Sequence, residues 1–330
     1  AKAAEIWKPH LTLTQFHSEN VISREDVGRI KRATQGNMVN WNGDVWSTNQ
    51  LSPNFMGLLR LYDYHLIVNA SLLQRYKEVG IRAAYWQNSF EPQILGTNPG
   101  EACDVIFLGN MYKPHEGETK AENYRENLAR AIKSLPCETR IYGRGYPAGI
   151  SEGESLYDFA KTGSLYRGAK IIIADNQYLD AVGFASDRLF MALASGGGML
   201  MHQKVEGMEQ YIGLKDGVHY VEWTDVDDLR EKVAFYLSPE GEAQRQEIAA
   251  NGHFECLSNH TYVKRVYELR VLLDSIPSRK LTVSGMMIVK NEAPRIMERL
   301  NELSQFCDDI VVVDTGSTDN TVQLVKEFGG

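Results

Sequence analysis

What the sequence lacks narrows the field first. No run approaches the roughly 20 consecutive apolar residues of a membrane-spanning helix, and no secretory leader pattern opens the chain. Basic residues are in deficit, with 35 Lys and Arg against 43 Asp and Glu and a net charge of −8. A surface of that sign repels phosphate backbones, so a nucleic-acid partner is disfavoured, although a local basic site inside a cleft stays compatible with it. Cysteines are few and widely spaced (Cys103, Cys137, Cys256 and Cys307), with no CxxC pair. Structural zinc is therefore not expected. The thiols read as reduced, which points to the cytoplasm and makes the sequons at Asn69 and Asn259 chance matches. The GxGxxG dinucleotide fingerprint and the GxxxxGK[ST] phosphate loop are also missing, which disfavours hydride transfer and P-loop chemistry. The chain opens at Ala1 in mid-pattern and stops at Gly330 just after a helix. Both ends read as cut, so a leader or further domains are expected outside it.

What is present is a long alternation of strands and helices. Leu11 to Phe16, Asn37 to Trp41, His65 to Asn69 and Ile81 to Trp86 read as strands, with helices between them. A second series runs through Asp104 to Leu108, Glu138 to Tyr142, Ala169 to Ala174, Met199 to Met201 and Val218 to Glu222. Such alternation means parallel sheets with helices on both faces. Pro92 to Ala102, PQILGTNPGEA, has the composition of a linker between the two series. Pro277 to Lys280 reads as a second linker, after which a βαβα pattern begins. Ligands of parallel sheets lie beyond the carboxyl ends of the strands. In the first series the candidates there are Gln15, His17, Asn42, Asp44 and Asn88. His17 or Asp44 there could act as a general base, or could simply cap a turn.

The stretch around which the second series is organised is Gly183 to His202, GFASDRLFMALASGGGMLMH. Ser186 and Asp187 are good N-cap types, and Leu189, Phe190, Leu193 and Ala194 form a helical apolar stripe. Gly196 to Gly198 end that helix. A helix N-terminus facing a cleft suits a phosphate, and Arg188 adds a planar fork for a diphosphate. Strand ends at Gly109-Asn110, Gly143 and Asp175 are expected to meet the Gly196-Gly197-Gly198 break on one sheet edge. Arg125, Arg144 and Arg188 are expected to converge there on one anion. The plain alternative is one more αβ unit with solvated arginines.

With those residues in view, the chain from about residue 5 to 275 resembles the GT-B glycosyltransferases, those of the "glycosyl transferases group 1" and spore-maturation-like type. The resemblance rests on DVIFLGNMY, RIYGRG, SDRLFMALASGGGML and DGVHYVEW in that order. It implies two Rossmann-like domains, residues 1–91 on the acceptor side and 103–275 holding a nucleoside-diphosphate sugar. It also implies that no metal is needed, because helix ends and basic side chains stabilise the leaving diphosphate. Many relatives carry a glutamate for the donor ribose where this chain has Met191; Asp187, one turn earlier, is the candidate substitute.

The segment 281–330 resembles the opening of a family 2 glycosyltransferase of the GT-A type, through MMIVKNEA and IVVVDTGSTDNT. That implies donor-nucleoside contacts from Glu292 and Asp314. The complete GT-A fold can carry a divalent metal, but its metal-binding DxD and its base lie further along that family's sequence. The expectation is therefore an α/β chain that transfers a sugar from a nucleoside diphosphate to an acceptor hydroxyl, with Asp44 or His17 as base. Rival readings are a non-catalytic nucleotide-sugar-binding scaffold and a nucleotide-sugar epimerase.

Overall fold

The computed structural model describes residues 1–18, 20–44, 51–111, 123–154, 158–176, 178, 181–275 and 283–329. The linker expected over 277–280 lies outside those residues.

The first series is α1 (Lys2–Trp7), β1 (Leu11–Gln15), α2 (Arg24–Ala33), β2 (Asn37–Asn42), α3 (Pro53–Leu59), β3 (Tyr64–Ile67), α4 (Leu73–Glu78) and β4 (Ala83–Tyr85). The four strands form one parallel sheet in the order β1-β2-β3-β4. Ser23 caps α2 by accepting from the Asp26 N–H, as its residue type and place predict. Successive strand residues face opposite sides, and both sides are covered. Met38 and Ile67 join the cluster with Val27, Phe55 and Tyr76, while Val39 and Leu66 join Trp86, Leu269 and Leu273 on the other face.

The second series comprises β5 (Cys103–Leu108), α5 (Tyr124–Lys133), β6 (Thr139–Tyr142), α6 (Phe159–Gly168), β7 (Ala169–Ala174), α7 (Asp187–Ala194), β8 (Met199–Gln203), β9 (Val221–Trp223), α8 (Val226–Leu237), α9 (Pro239–Asn259) and α10 (Tyr262–Asp274). Its parallel sheet has the order β6-β5-β7-β8-β9. The strand interiors read as continuous apolar runs because both faces are buried. Ile106, Ile172 and Leu200 meet Leu189 and Phe190 of α7. Val105, Phe107, Ile171 and Met201 meet Leu128 of α5 and Leu229 of α8. The chain moves from β5 outward to β6, then crosses to the other side of β5 for β7, which puts the topological switch point between the ends of β5 and β7.

Helix α10 returns to the first sheet. Leu269 and Leu273 pack on its open face, and the Trp86 indole N–H donates to the Arg265 carbonyl at 3.2 Å. The tail folds as β10 (Ser284–Val289), α11 (Ile296–Ser304), β11 (Asp309–Asp314) and α12 (Thr321–Gly329). Among the described residues its two strands pair only with each other, Gly285 with Ile310 and Val289 with Asp314. Met286 and Ile288 stand exposed on one face, whereas Val289, Ile296 and Leu300 make a small core on the other. The tail touches the rest of the chain through Arg299 of α11 on Gln93 and through Phe306, just past α11, edge-on against Tyr267.

Candidate active site

The carboxyl edges of the two sheets face one another across a cleft of about 280 Å³. Gln15, Gly43, Asp44 and Asn88 line it from the ends of β1, β2 and β4. Asn176, Tyr178 and the Phe184 to Arg188 turn line it from the end of β7 and the start of α7, and Tyr262 of α10 closes one side. Parallel α/β sheets place their ligands there because strand ends and helix starts both open onto that edge.

The second-sheet wall is built for an anion. Ser186 is the N-cap residue of α7, and the helix start carries no side-chain cap. Its first N–H groups thus keep a partial positive charge toward the cleft. Arg188, half-buried, reaches across the switch point. Its guanidinium donates to the Leu108 carbonyl at 3.3 Å and lies 3.0 Å from where a side chain on Gly109 would begin. A larger residue at 109 would push the guanidinium away. Among the described residues Arg188 has no carboxylate partner, so its charge is available to a ligand. Asp187 is exposed at the cleft wall, whereas Met191 is 7% exposed and packed in the core. The position expected to contact the donor ribose therefore presents an apolar side chain, and Asp187 is the carboxylate on this wall of the cleft, with Asp44 on the other.

Two of the expected arginines are not brought to this point. Arg125 is buried and closes on Asp175, with N···O distances of 2.9, 3.0 and 3.1 Å, and donates again to the Asn110 carbonyl. Its side chain is 5% exposed and that of Asp175 1%. A cation so enclosed binds the protein's own carboxylate. Arg144 is exposed and pairs with Glu154 at 3.0 Å, while its backbone N–H donates to the side-chain oxygen of Asn110. Asn110 thus ties two loops of the sheet edge together.

The glycines also divide. Gly109 and Gly143 do end neighbouring strands. But a side chain on Gly143 would lie 2.0 Å from the Gly109 carbonyl oxygen, so the close approach it permits is between two loops of the protein. Gly196 and Gly197 are not on this edge at all. They precede β8, which runs parallel to β7, and so lie at the amino edge of the sheet. There a side chain on Gly197 would meet the Tyr166 carbonyl at 2.2 Å, and Gly196 faces the His253 ring. The helix that leaves the carboxyl edge must run the length of the sheet before the next strand starts, which carries its terminal turn to the opposite edge.

The first-sheet wall holds a histidine and a carboxylate. His17 Nε2 lies 3.6 Å from Asp44 Oδ2, with side-chain exposures of 34% and 64%. His17 Nδ1 lies 2.9 Å from the side-chain oxygen of Asn42. The two walls are locked together beside the cleft. The Gly183 carbonyl accepts from the Tyr85 hydroxyl at 2.8 Å and from the Gln87 amide at 2.7 Å, and Asn69 Oδ1 accepts from the Val182 N–H. Gln87 and Asn69 sit at strand ends of the first sheet and grip the loop that leads into α7. Sequence reading alone passed over them, because a clamp across about 100 residues leaves no local pattern.

In the tail, Asp314 is the last residue of β11, and Glu292 lies three residues beyond the end of β10. The Asp314 carboxylate accepts from the N–H groups of Gly316 and Ser317 at 2.9 Å each, and the Ser317 side chain adds to them in holding its carboxyl below the usual range. The Glu292 N–H is held by the Thr321 hydroxyl. No group of three His, Cys, Asp or Glu side chains among the described residues is placed to hold a metal ion. No helix among them is long and apolar enough to cross a membrane.

Comparison with known proteins agrees with this architecture. Residues 124–270 match the family model described as "Glycosyl transferase-like". Sucrose-phosphate synthase from Thermosynechococcus elongatus superposes with a TM-score of 0.59 at 10% identity, covering 83% of this chain and 75% of that one. Anabaena HepE, solved in complex with UDP and glucose, superposes with a TM-score of 0.57 at 11% identity over 83% of this chain and 81% of its own. An uncharacterized glycosyltransferase of Rickettsia felis is 40% identical over 47 residues, which are 14% of this chain and 17% of that protein. A similar uncharacterized glycosyltransferase of Rickettsia prowazekii is 40% identical over 47 residues, 14% of this chain and 16% of its own length. The chain thus spans only a small part of the curated relatives it matches. Its two opposed parallel sheets have the GT-B fold, and residues 124–270 carry the match to the glycosyl transferase-like family.

Proposed function

We propose that this protein transfers a sugar from a nucleoside-diphosphate donor to an acceptor hydroxyl in the cleft between the two sheets. The observation that carries the reading is the opposition of its two walls: a helix start without a side-chain cap and an Arg188 without a carboxylate partner among the described residues on one, Asp44 with His17 beside it on the other. The donor diphosphate sits against the α7 N-terminus and Arg188, which together offset the charge that develops on it. The acceptor lies by the first sheet. Its O–H bond breaks as the proton passes to His17 Nε2, and its oxygen bonds to the anomeric carbon. The anomeric bond to phosphate oxygen breaks, and the electron pair leaves with the diphosphate. Donor binding is proposed to need no metal, because the helix start and Arg188 supply the positive charge. Free thiols at Cys103, Cys137, Cys256 and Cys307 support a reducing, cytoplasmic setting.

The tail is proposed as the opening βαβα of a family 2, GT-A unit, with Glu292 and Asp314 toward a donor nucleoside. Their placement at and just beyond the ends of adjacent parallel strands supports it.

A panel of uridine and guanosine diphosphates and their sugars, screened by thermal shift with and without chelator, tests the first reading. A ligand at 100 times its Kd should add about 2.7 kcal/mol of stability. Arg188→Lys should weaken that ligand nearly as much as Arg188→Ala, by about 1.5–3 kcal/mol, because lysine lacks the planar fork. Stabilisation that needs a divalent ion, or that ignores Arg188, would remove the basis of the proposal. Tight donor binding without turnover across a broad acceptor panel would favour the scaffold, a reading that the buried Met191 supports.

A further inference from the structure

Asn42 ends β2, two residues before Asp44 of the cleft wall, and is 2% exposed. Its amide oxygen accepts twice, from the backbone N–H of Asp44 at 3.2 Å and opposite His17 Nδ1 at 2.9 Å. An asparagine amide can be turned over, so its orientation has to be settled by a neighbour that can only donate. The Asp44 N–H is such a neighbour. Turned over, the amide would set its own N–H groups against that N–H. With the oxygen toward His17, Nδ1 must carry the ring proton, and neutral His17 keeps its lone pair on Nε2.

Nε2 is the nitrogen 3.6 Å from the Asp44 carboxylate. Two acceptors so placed cannot bond to each other. The Nε2 lone pair is therefore left to accept from a hydroxyl. Once the proton has moved there, the imidazolium is flanked by Asp44 on one side and the Asn42 oxygen on the other. The Asn42 amide nitrogen is meanwhile buried without a partner among the described residues. A leucine of similar size would bury no such orphan, so the amide is unfavourable here apart from what its oxygen does.

We propose that Asn42 is a positioning residue that fixes the His17 tautomer, so that Nε2 and not Nδ1 takes the acceptor proton. This rests on the glycosyl-transfer reading of the cleft. Asn42 touches no substrate and acts through His17.

Nitrogen-15 NMR of the histidine rings in the full chain reads the tautomer without any turnover. The His17 signal is assigned by its loss in His17→Ala. The expected result is an Nδ1–H ring in the parent protein and in Asn42→Asp, whose carboxylate still accepts, and loss of that preference in Asn42→Leu. An Nε2–H ring in the parent protein, or an unchanged ring in folded Asn42→Leu, overturns the proposal. With an active donor and acceptor, Asn42→Leu is expected to lower kcat at least tenfold at unchanged donor KM, and Asn42→Asp to restore most of it. A change confined to KM also overturns it. A parent protein with no transferase activity would strike the glycosyl-transfer reading instead, and the tautomer measurement would still decide the role given to Asn42.

Discussion

The pair of Arg125 and Asp175 separates a structural arginine from a ligand-binding one. The two side chains are 5% and 1% exposed and share three N···O contacts between 2.9 and 3.1 Å. Removing one partner leaves the other charge buried, which costs about 3–5 kcal/mol. Arg125→Met and Asp175→Leu are each expected to lose that much. For a unit of this size the loss corresponds to roughly 6–20 °C in melting midpoint, at 2–4 °C per kcal/mol. The double substitution should recover most of it, because an apolar pair of similar volume avoids the desolvation of two ions. It still forfeits the Arg125 bond to the Asn110 carbonyl, about 1 kcal/mol. Thermal melts of the four proteins close the cycle, with an expected coupling above about 2 kcal/mol. A single substitution that costs under 1 kcal/mol, or a double no better than the singles, would refute the reasoning. Nucleotide affinity is the second readout. Arg125→Met, assayed below its midpoint, should bind the best diphosphate within about twofold of the parent, since a ligand is not what its guanidinium holds. A tenfold loss would return Arg125 to the anion site.

Further outcomes follow from other parts of the chain. Gly197→Ala sets a side chain 2.2 Å from the Tyr166 carbonyl, so the midpoint should fall while nucleotide affinity of the folded protein stays the same; the reverse pattern would restore Gly197 to the ligand. Burial lowers the pKa of His65 to about 4 and that of His260 to about 3, so each binds its proton later in the folded than in the unfolded chain, whose value is near 6.5. Their stabilising effect is therefore complete above pH 6.5 and is lost as pH falls toward 4 and 3, by at most about 2 kcal/mol each at pH 5; a melting midpoint flat from pH 7.5 to 5 would contradict this. Hydrogen exchange should be slower at Ile171 to Ile173, which are 1% exposed or less, than at the half-buried Ile310 to Val313 of the two-stranded tail; equal protection would show the tail to be integrated with the larger body.

Local chemistry made much of this fold legible. The cap at Ser23, the apolar runs at Asp104 to Leu108 and Ala169 to Ala174, and the strand-helix alternation are readable, since each depends on near neighbours. Helix α9 runs through Gly241 and Gly252, residues that look like breaks in the sequence, because each packs closely against backbone of a neighbouring segment. The site was legible in part. Asp44, Ser186, Asp187 and Arg188 do line one cleft, and His17 stands 3.6 Å behind the Asp44 carboxylate. Arg125 was misjudged because its partner lies 50 residues away, and a sequence shows a charge without showing what faces it. Gly196 and Gly197 were recognised as a turn but assigned to the wrong edge. Strand direction could have corrected that: a turn just before a parallel strand lies opposite the turns that follow its neighbours.

The clamp at Gly183 bears on how the two walls act together. Arg188 lies five residues beyond that carbonyl, on a helix whose start is set by the intervening loop. Tyr85 and Gln87, which hold the carbonyl, belong to the end of β4 in the first sheet, and Asn88 beside them donates to the Ala185 carbonyl at 3.4 Å. Helix α10 ties the same strand end from the other side through Trp86. The spacing between the anion wall and the His17 wall is thus fixed by direct bonds rather than by the long connection through residues 92–102. A reaction that joins an acceptor oxygen to a carbon already bound to phosphate needs both groups held to within a fraction of an ångström. A cluster of hydrogen bonds at the rim of the cleft, made by residues that need not touch either substrate, supplies that registration.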